Sequence, residues 1–463
     1  MPAAVRWPAQ AATARLSTSL VLISLPGVLA YAPFINYMET SLAIQPVVTP
    51  EQLKLSRTFD FNLEALRGFA AILVVWHHII EHRSRLDPYY NPTGVFSFNP
   101  SGHLSVLVFF VLSGYVIGRV HLLPMERKDI LPYIKKRFLR IYPIYLITII
   151  IALLVARSSY PAFTVISNLT MTQNPLGPVI FENNPIWSLS FEILFYLLFI
   201  PLSYFRLNAA IVAAVFVAIG IVANLHEFYQ SAGYALGFAF WLCGVMIARN
   251  LQRPLAPSFA LMVSMLLLLL ALKEFNLTVW FSRLGLLLDK PETFESGPVQ
   301  IADLSKLPYC ILLVAVFISR DFAYRRYIIP ILLLLPGLAF YKKLHHLEAF
   351  QNRSIILPTC FYLAAIIIYL LRTQLESVCS RIIQRLSGTG AWSYGLYMIH
   401  FPLMCIFIRI EWFSGTATTF FVRLLCYLFL CYVASYFLEK KFQPWIRRFF
   451  SKSHSNNSTY YRL

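Results

Sequence analysis

The first residues that call for chemistry stand in "FNLEALRGFAAILVVWHHII", Phe61 to Ile80. This run is apolar enough for a bilayer, yet it carries Glu64 and Arg67 near one end and His77 and His78 near the other. A charged side chain at membrane depth costs roughly 2.5 to 3.5 kcal/mol on insertion scales, so a chain that keeps several there generally uses them. Arg67 and His78 are eleven positions apart, which leaves them about 20° apart around a helix and roughly 16 Å apart along it, on one face. Glu64, three residues before Arg67, is placed to neutralise it. Histidine is the side chain best suited to take a proton near neutral pH, as activation of a hydroxyl nucleophile requires. The plainer alternative is an Arg–Glu pair that orients the helix and a histidine at the headgroups.

Four further segments set polar groups in apolar surroundings. "VLVFFVLSGYVIGR" interrupts a helix with Ser113 and Gly114, which suit either close helix packing or a narrow passage for a slim, extended ligand. "KKRFLRIYPIY" puts Arg137 and Arg140 three apart, on one helical face. They either anchor the helix by the positive-inside rule or present planar forks to a phosphate. "NPIWSLSFEILFYLLF" brings Trp187, Ser188, Ser190 and Glu192 to the start of a span, where the tryptophan is a routine interface anchor and the acid is not. "SYGLYMIHFPL" holds His400 before Pro402 and seven residues after Ser393, nearly on the same face. A lone histidine there is more often structural.

These residues need a frame, and composition names it. Of 463 residues, 58% are hydrophobic and 13% charged, which does not describe a soluble surface. Apolar runs of near-spanning length recur from 61–80 to 419–438, predicting an all-α, polytopic transmembrane helix bundle of about 10 to 12 spans. The net charge of +18 is spread over alternate short loops. The positive-inside rule accounts for that spread, leaves no reason for a nucleic-acid partner, and puts both ends of the core in the cytoplasm. Residues 1–58 read as an N-terminal extension, signal-like or an extra hydrophobic helix; 59–440 as the transmembrane domain; 441–463 as a basic, polar cytoplasmic tail. The cysteines include no CxxC, so neither a disulfide framework nor a metal site is indicated. Asn168, Asn276 and Asn352 begin glycosylation-type triplets, which are frequent by chance.

Taken in order, the five segments resemble the acyltransferase 3 family of integral-membrane acyltransferases, from about Leu63 to Pro402. The likeness lies in an Arg-Gly pair with a histidine eleven positions after the arginine (Arg67, Gly68, His78); an FFxLSG-like helix (Phe109 to Gly114); an RxxR pair before an aromatic-Pro step (Arg137, Arg140); a WSLxxE segment (Trp187, Glu192); and a late SYxxYxxH segment (Ser393 to His400). Two positions depart from the family pattern: the usual acidic-Gly pair before the Leu-Arg step appears as Glu64 and Ala65, and Ser105 stands where glycine is common.

The resemblance implies transfer of an acyl group, often acetyl from acetyl-CoA, to a hydroxyl of a sugar, glycolipid or small-molecule acceptor, within the lipid bilayer of the plasma (inner) membrane. It implies His78 as proton acceptor, with Glu192 and His400 as further catalytic candidates to orient His78, bind acceptor or stabilise charge. Arg137 and Arg140 would hold the phosphates of acyl-CoA, the pantetheine arm would pass Ser113 and Gly114, and Arg67 would fix the donor or the helix geometry. Acyl-CoA is then a donor substrate, with no permanently bound cofactor and no metal. Only a short basic tail follows Leu438, so the membrane domain is expected to handle the acceptor itself. The rival from another class is a multi-span transporter or flippase for a lipid-linked or anionic substrate; it predicts internal repeats, and none is visible. A third reading is a ligand-binding sensor on the same frame.

Overall fold

The computed structural model describes residues 61–251, 253–275, 296–345 and 355–452. The extension at 1–58, the last residues 453–463, and the triplets at Asn276 and Asn352 lie outside the described residues. Among the described residues every regular element is a helix. Those that build the site are α1 (Phe61–Glu81), α2 (Gly102–Val120), α3 (Arg127–Val155), α4 (Trp187–Tyr204), α5 (Ala209–Leu225), α6 (Tyr229–Asn250), α7 (Phe259–Ala271), α8 (Leu307–Phe317), α9 (Ile356–Leu370), α10 (Arg372–Gly390), α11 (Ser393–Phe407), α12 (Ala417–Phe437) and α13 (Gln443–Lys452).

Their ends are written in the local sequence. Ser101 caps α2 by accepting from the Leu104 amide at 3.1 Å, Asn208 caps α5, and reciprocal capping boxes open α3 (Glu126 and Asp129) and α12 (Thr416 and Thr419). Six of the described helical stretches are long and apolar enough to cross a bilayer, or seven if α9 and α10, bent by 118°, form one broken span. The chain is thus an integral membrane protein. The count is lower than apolar runs alone predict, because α5, α7 and α11 have 17, 13 and 15 residues, and about 20 are needed to span by length alone. The outward faces carry exposed Leu197, Ile211, Leu425 and Phe429, as a lipid-facing surface should.

The core is a column of buried aromatic side chains, Phe110, Phe191, Phe195, Phe199, Phe238 and Trp241, where α2, α4 and α6 meet. Without a hydrophobic drive between helices in lipid, close approach depends on small residues. At Gly114 a Cβ would lie 1.8 Å from the Trp241 carbonyl oxygen, and at Gly244 one would lie 1.9 Å from that of Val111, so α2 and α6 touch backbone to backbone. A second such crossing joins α1 to the end of α10: a Cβ on Gly390 would meet the Glu64 carbonyl at 2.1 Å. From that crossing α11 runs alongside α1 in the same direction, because His400 meets His78 further on and Cys405 meets Arg85 beyond it.

The ten residues of α13 fall in the region expected to be a tail, and they are helical. A π-helical turn, Leu438–Phe442, joins α12 to α13, and Gln443 donates to the Leu139 carbonyl of α3. Asn168 is fully buried, donating to the Thr164 and Pro178 carbonyls and accepting from the Ile180 amide, so its triplet is a structural feature.

Candidate active site

His78 and His400 are brought together. The Nε2 of His400 lies 3.2 Å from Nδ1 of His78, with ring centroids 5.1 Å apart. Proton positions follow from the carbonyls, which can only accept. The Nδ1 of His400 faces the Tyr397 carbonyl at 2.8 Å and that of His78 faces the Val74 carbonyl at 2.9 Å, so each Nδ1 carries hydrogen in the neutral ring. The Nε2 of His400 is then a lone pair pointing at the Nδ1–H of His78, and the Nε2 of His78 is the lone pair left over. His400 is fully buried and His78 half-buried. A buried histidine thus fixes the tautomer and tilt of a more accessible one, leaving it a basic nitrogen.

His77 is on another face. Its Nδ1 bonds Asn99 at 2.7 Å and the Pro100 carbonyl at 3.1 Å, tying α1 to the loop before α2, and its ring packs on Gly102. His82 stacks on His78, with centroids 5.9 Å apart; burial, then the Arg85 charge, lowers its basicity.

Glu192 goes elsewhere. Its carboxylate accepts from Ser113 Oγ at 2.9 Å and from the Tyr196 hydroxyl, while Ser113 accepts from Trp241 Nε1 at 3.3 Å. Ser113 is therefore locked into a polar cluster among four side chains, and the face of Gly114 is filled by Trp241. Of the two readings open for Gly114, the structure shows close packing; the passage at that residue is corrected, because backbone occupies it.

The arginine pair is split. Arg137 stands over Tyr133 and Tyr196, 5.7 Å from each ring centroid, and its buried Nε has no hydrogen-bond partner among the described residues. Arg140 is taken up in a two-pronged contact with Glu439, 2.7 and 3.2 Å, and lies over the Tyr394 ring. Glu64, already paired with Arg67, lies within electrostatic reach of Arg140. Arg67 therefore belongs to the network at the start of α1, and no described contact joins it to Arg137. His121, beside Arg137, is pushed down to about 4 by burial and then by Arg137 and Lys136, so it adds no charge near neutral pH.

The remaining residues of the late segment stitch α11 in place. Tyr394 donates to the Ile141 carbonyl at 2.9 Å, and Tyr397 to the Pro185 carbonyl at 2.6 Å, with Ser188 Oγ 2.7 Å away. Tyr397 also meets Phe109, one turn from Ser113 on α2. The Ser113 cluster and the histidine pair are thereby linked through one helix face.

Several participants escaped the sequence reading. Glu439 carries a usable signal, as the one acid in the chain after Glu411. Arg85 is buried between Phe181 and Phe401, its Cζ 4.1 and 4.8 Å from their centroids, and Phe401 meets His78 edge-on. Tyr196 reads as an ordinary span residue, and Tyr397 enters only as a position of the SYxxYxxH segment, with no role attached. An apolar groove of about 670 Å³, lined by Ile72, Trp76, Ile80, Leu396, Phe421 and Leu428 among others, includes none of the candidate site residues.

The helical membrane domain thus holds an oriented histidine at one place and, at another, a half-buried arginine whose Nε has no hydrogen-bond partner among the described residues. A family model described as "Acyltransferase domain" matches residues 60–440, and the chain belongs to the acyltransferase 3 family. It is 31% identical over 208 residues to "Acyltransferase MdmB" of Streptomyces mycarofaciens, covering 39% of this chain and 52% of that protein. It is 32% identical over 89 residues to "Protein 2 in picA locus" of Rhizobium radiobacter, covering 19% and 40%. The chain thus spans about half the length of the curated relatives it matches. No solved structure gives a significant match.

Proposed function

We propose that this protein is a membrane O-acyltransferase that moves an acyl group, acetyl in the simplest case, from acyl-CoA to a hydroxyl of a carbohydrate, glycolipid or similar acceptor. The observation that carries the reading is the His400–His78 pair, which leaves one basic nitrogen in a half-buried place and a second imidazole behind it to share the charge when it is protonated. The acceptor oxygen attacks the thioester carbonyl carbon as His78 Nε2 takes its proton. The carbon–sulfur bond then breaks, and the proton passes from His78 to the departing sulfur, releasing CoA. Arg137 receives donor phosphate, and the arm runs from there along the Ser113 and Phe109 face of α2 towards Tyr397 and the histidines. Glu192 holds Ser113 and Tyr196 along that route.

The site of action is the plasma (inner) membrane, with both ends of the core cytoplasmic. The short helices α5, α7 and α11 count as spans in that arrangement, bringing the described crossings to nine, or to ten with the bent α9–α10 pair, the lower end of a bundle of about 10 to 12. The test uses purified protein in nanodiscs with isotope-labelled acetyl-CoA and a panel of glycan acceptors, measuring acyl product and free CoA together. Equal release of both is the expected result. Acceptor moved across proteoliposomes, with no CoA release and no acyl product, would overturn the reading in favour of a transporter.

A further inference from the structure

We propose that the C-terminal helix α13 completes the donor-phosphate site, with Arg447 and Lys136 supplying the charge that Arg140, paired with Glu439, does not. This rests on the acyl-CoA reading above and extends it to a segment outside the recognised motifs.

The geometry begins at the π-helical turn. It turns Glu439 onto Arg140, and the next contact along the chain is Gln443 on the Leu139 carbonyl. On a helix the same face recurs every four residues, so Arg447 stands one turn beyond Gln443. Because α13 runs antiparallel to α3 across these contacts, that position faces one turn back from Arg140, where Lys136 lies. Lys136 is within electrostatic range of both Arg137 and Arg447, and Arg447 is within range of Arg140 and Glu439. Three cations, Lys136, Arg137 and Arg447, therefore converge and, with Arg140, outnumber the two nearby acids: Glu439, which also acts on Arg447, is bonded to Arg140, and Glu192, at the Tyr196 hydroxyl, is bonded to Ser113 and Tyr196.

A lone arginine is a poor match for a donor bearing a pyrophosphate and a ribose 3′-phosphate. Arg137 is half-buried, whereas Lys136 and Arg447 are exposed. That gradient suits a ligand whose slim arm enters the protein and whose nucleotide end stays at the membrane surface. Arg447 and Lys136 would read the outer phosphates and Arg137 the inner ones. Anionic lipid headgroups share this chemistry, and the test separates the two sources.

The full-length protein in nanodiscs is assayed with acetyl-CoA, acetyl-dephospho-CoA lacking the 3′-phosphate, and S-acetylpantetheine lacking all phosphates. Arg447→Gln is expected to raise the apparent KM for acetyl-CoA about fivefold, the scale of an exposed charge contact, and to leave that for S-acetylpantetheine unchanged. Arg447→Lys should fall between. An unchanged KM for acetyl-CoA in Arg447→Gln overturns the proposal. So does an effect that is equal for all three donors and appears only when phosphatidylglycerol is added to phosphatidylcholine nanodiscs, which assigns Arg447 to headgroups. If the wild type releases no free thiol from any donor, whether CoA, dephospho-CoA or pantetheine, the acyltransferase reading fails first. The anion site is then tested by calorimetric binding of 3′,5′-ADP in phosphatidylcholine nanodiscs, where weaker binding to Arg447→Gln supports it and equal binding overturns it.

Discussion

His400 Nε2 sits 3.2 Å from His78 Nδ1 although 322 positions separate the two residues in the chain. His78→Ala should abolish CoA release without lowering the amount of inserted protein, since it adds no buried charge. His400→Ala should lower kcat by about 10²-fold or more with a smaller effect on KM, because the tautomer and orientation of His78 are no longer held. His400→Gln should retain more, as its side-chain oxygen can accept from His78 Nδ1. His77→Ala should be milder than either. Equal loss at His77 and His78 in steady-state assays would remove the assignment.

The split arginine pair gives opposite expectations for its two members. Arg137→Gln should raise the apparent KM for acyl-CoA by tenfold or more, since a charge-assisted contact contributes roughly 1.5 to 3 kcal/mol, and Lys should restore part of it. Arg140→Gln should instead lower the melting temperature, as should Glu439→Gln, because each leaves a partner unpaired. Donor KM and thermal melting measured on all four variants separate the two roles; matching KM effects at both arginines would contradict the split.

Gly114→Val should give little folded protein, because its Cβ would collide with a backbone oxygen that cannot rotate away, and overpacking of a core costs about 1–3 kcal/mol or more. Ser113→Ala removes hydrogen bonds but no volume and should stay monodisperse with reduced kcat. Size-exclusion profiles together with activity decide this. A well-folded Gly114→Val with altered donor KM would restore the passage that the structure closes.

At the start of α2, Asp303 holds His103 at 2.7 Å and Lys306 at 2.8 Å. Burial alone would raise the Asp303 carboxyl, but the His103 and Lys306 charges outweigh it and hold it well below the usual carboxylate range. A depressed folded pKa stabilises fully above the unfolded value of about 4 and loses that contribution as pH falls toward the folded one. Asp303→Asn should therefore melt several degrees lower than wild type at pH 7, and the gap should narrow below about pH 4. A gap independent of pH in detergent melting curves would assign the effect to shape alone.

Orientation is checked with single cysteines at Ser97 and Lys128, probed by an impermeant thiol reagent in intact cells after subtracting native background. Labelling at Ser97 only is the expected pattern. The reverse would place Arg137 on the side that lacks CoA.

How much of this was legible beforehand depends on how far apart in the chain the partners are. Helix faces repeat every 3.6 residues and depth follows the apolar run, so the sequence by itself determined an all-helical membrane protein, five ordered polar segments, the Arg67–Glu64 pair and the placing of His77 and His78 on different helix faces. Periodicity says which side of a helix a residue occupies but not which neighbour covers that side. Only packing decided that His400, and not Glu192, stands behind His78; that Trp241 fills the Gly114 face; and that Glu439, 299 positions away, takes Arg140 while Arg137 lies over Tyr133 and Tyr196. The span count is not fixed by sequence for the same reason: an apolar run reports burial in hydrocarbon or in protein alike, and six or seven of the described helical stretches are long and apolar enough to cross by length and composition, while α5, α7 and α11 are shorter.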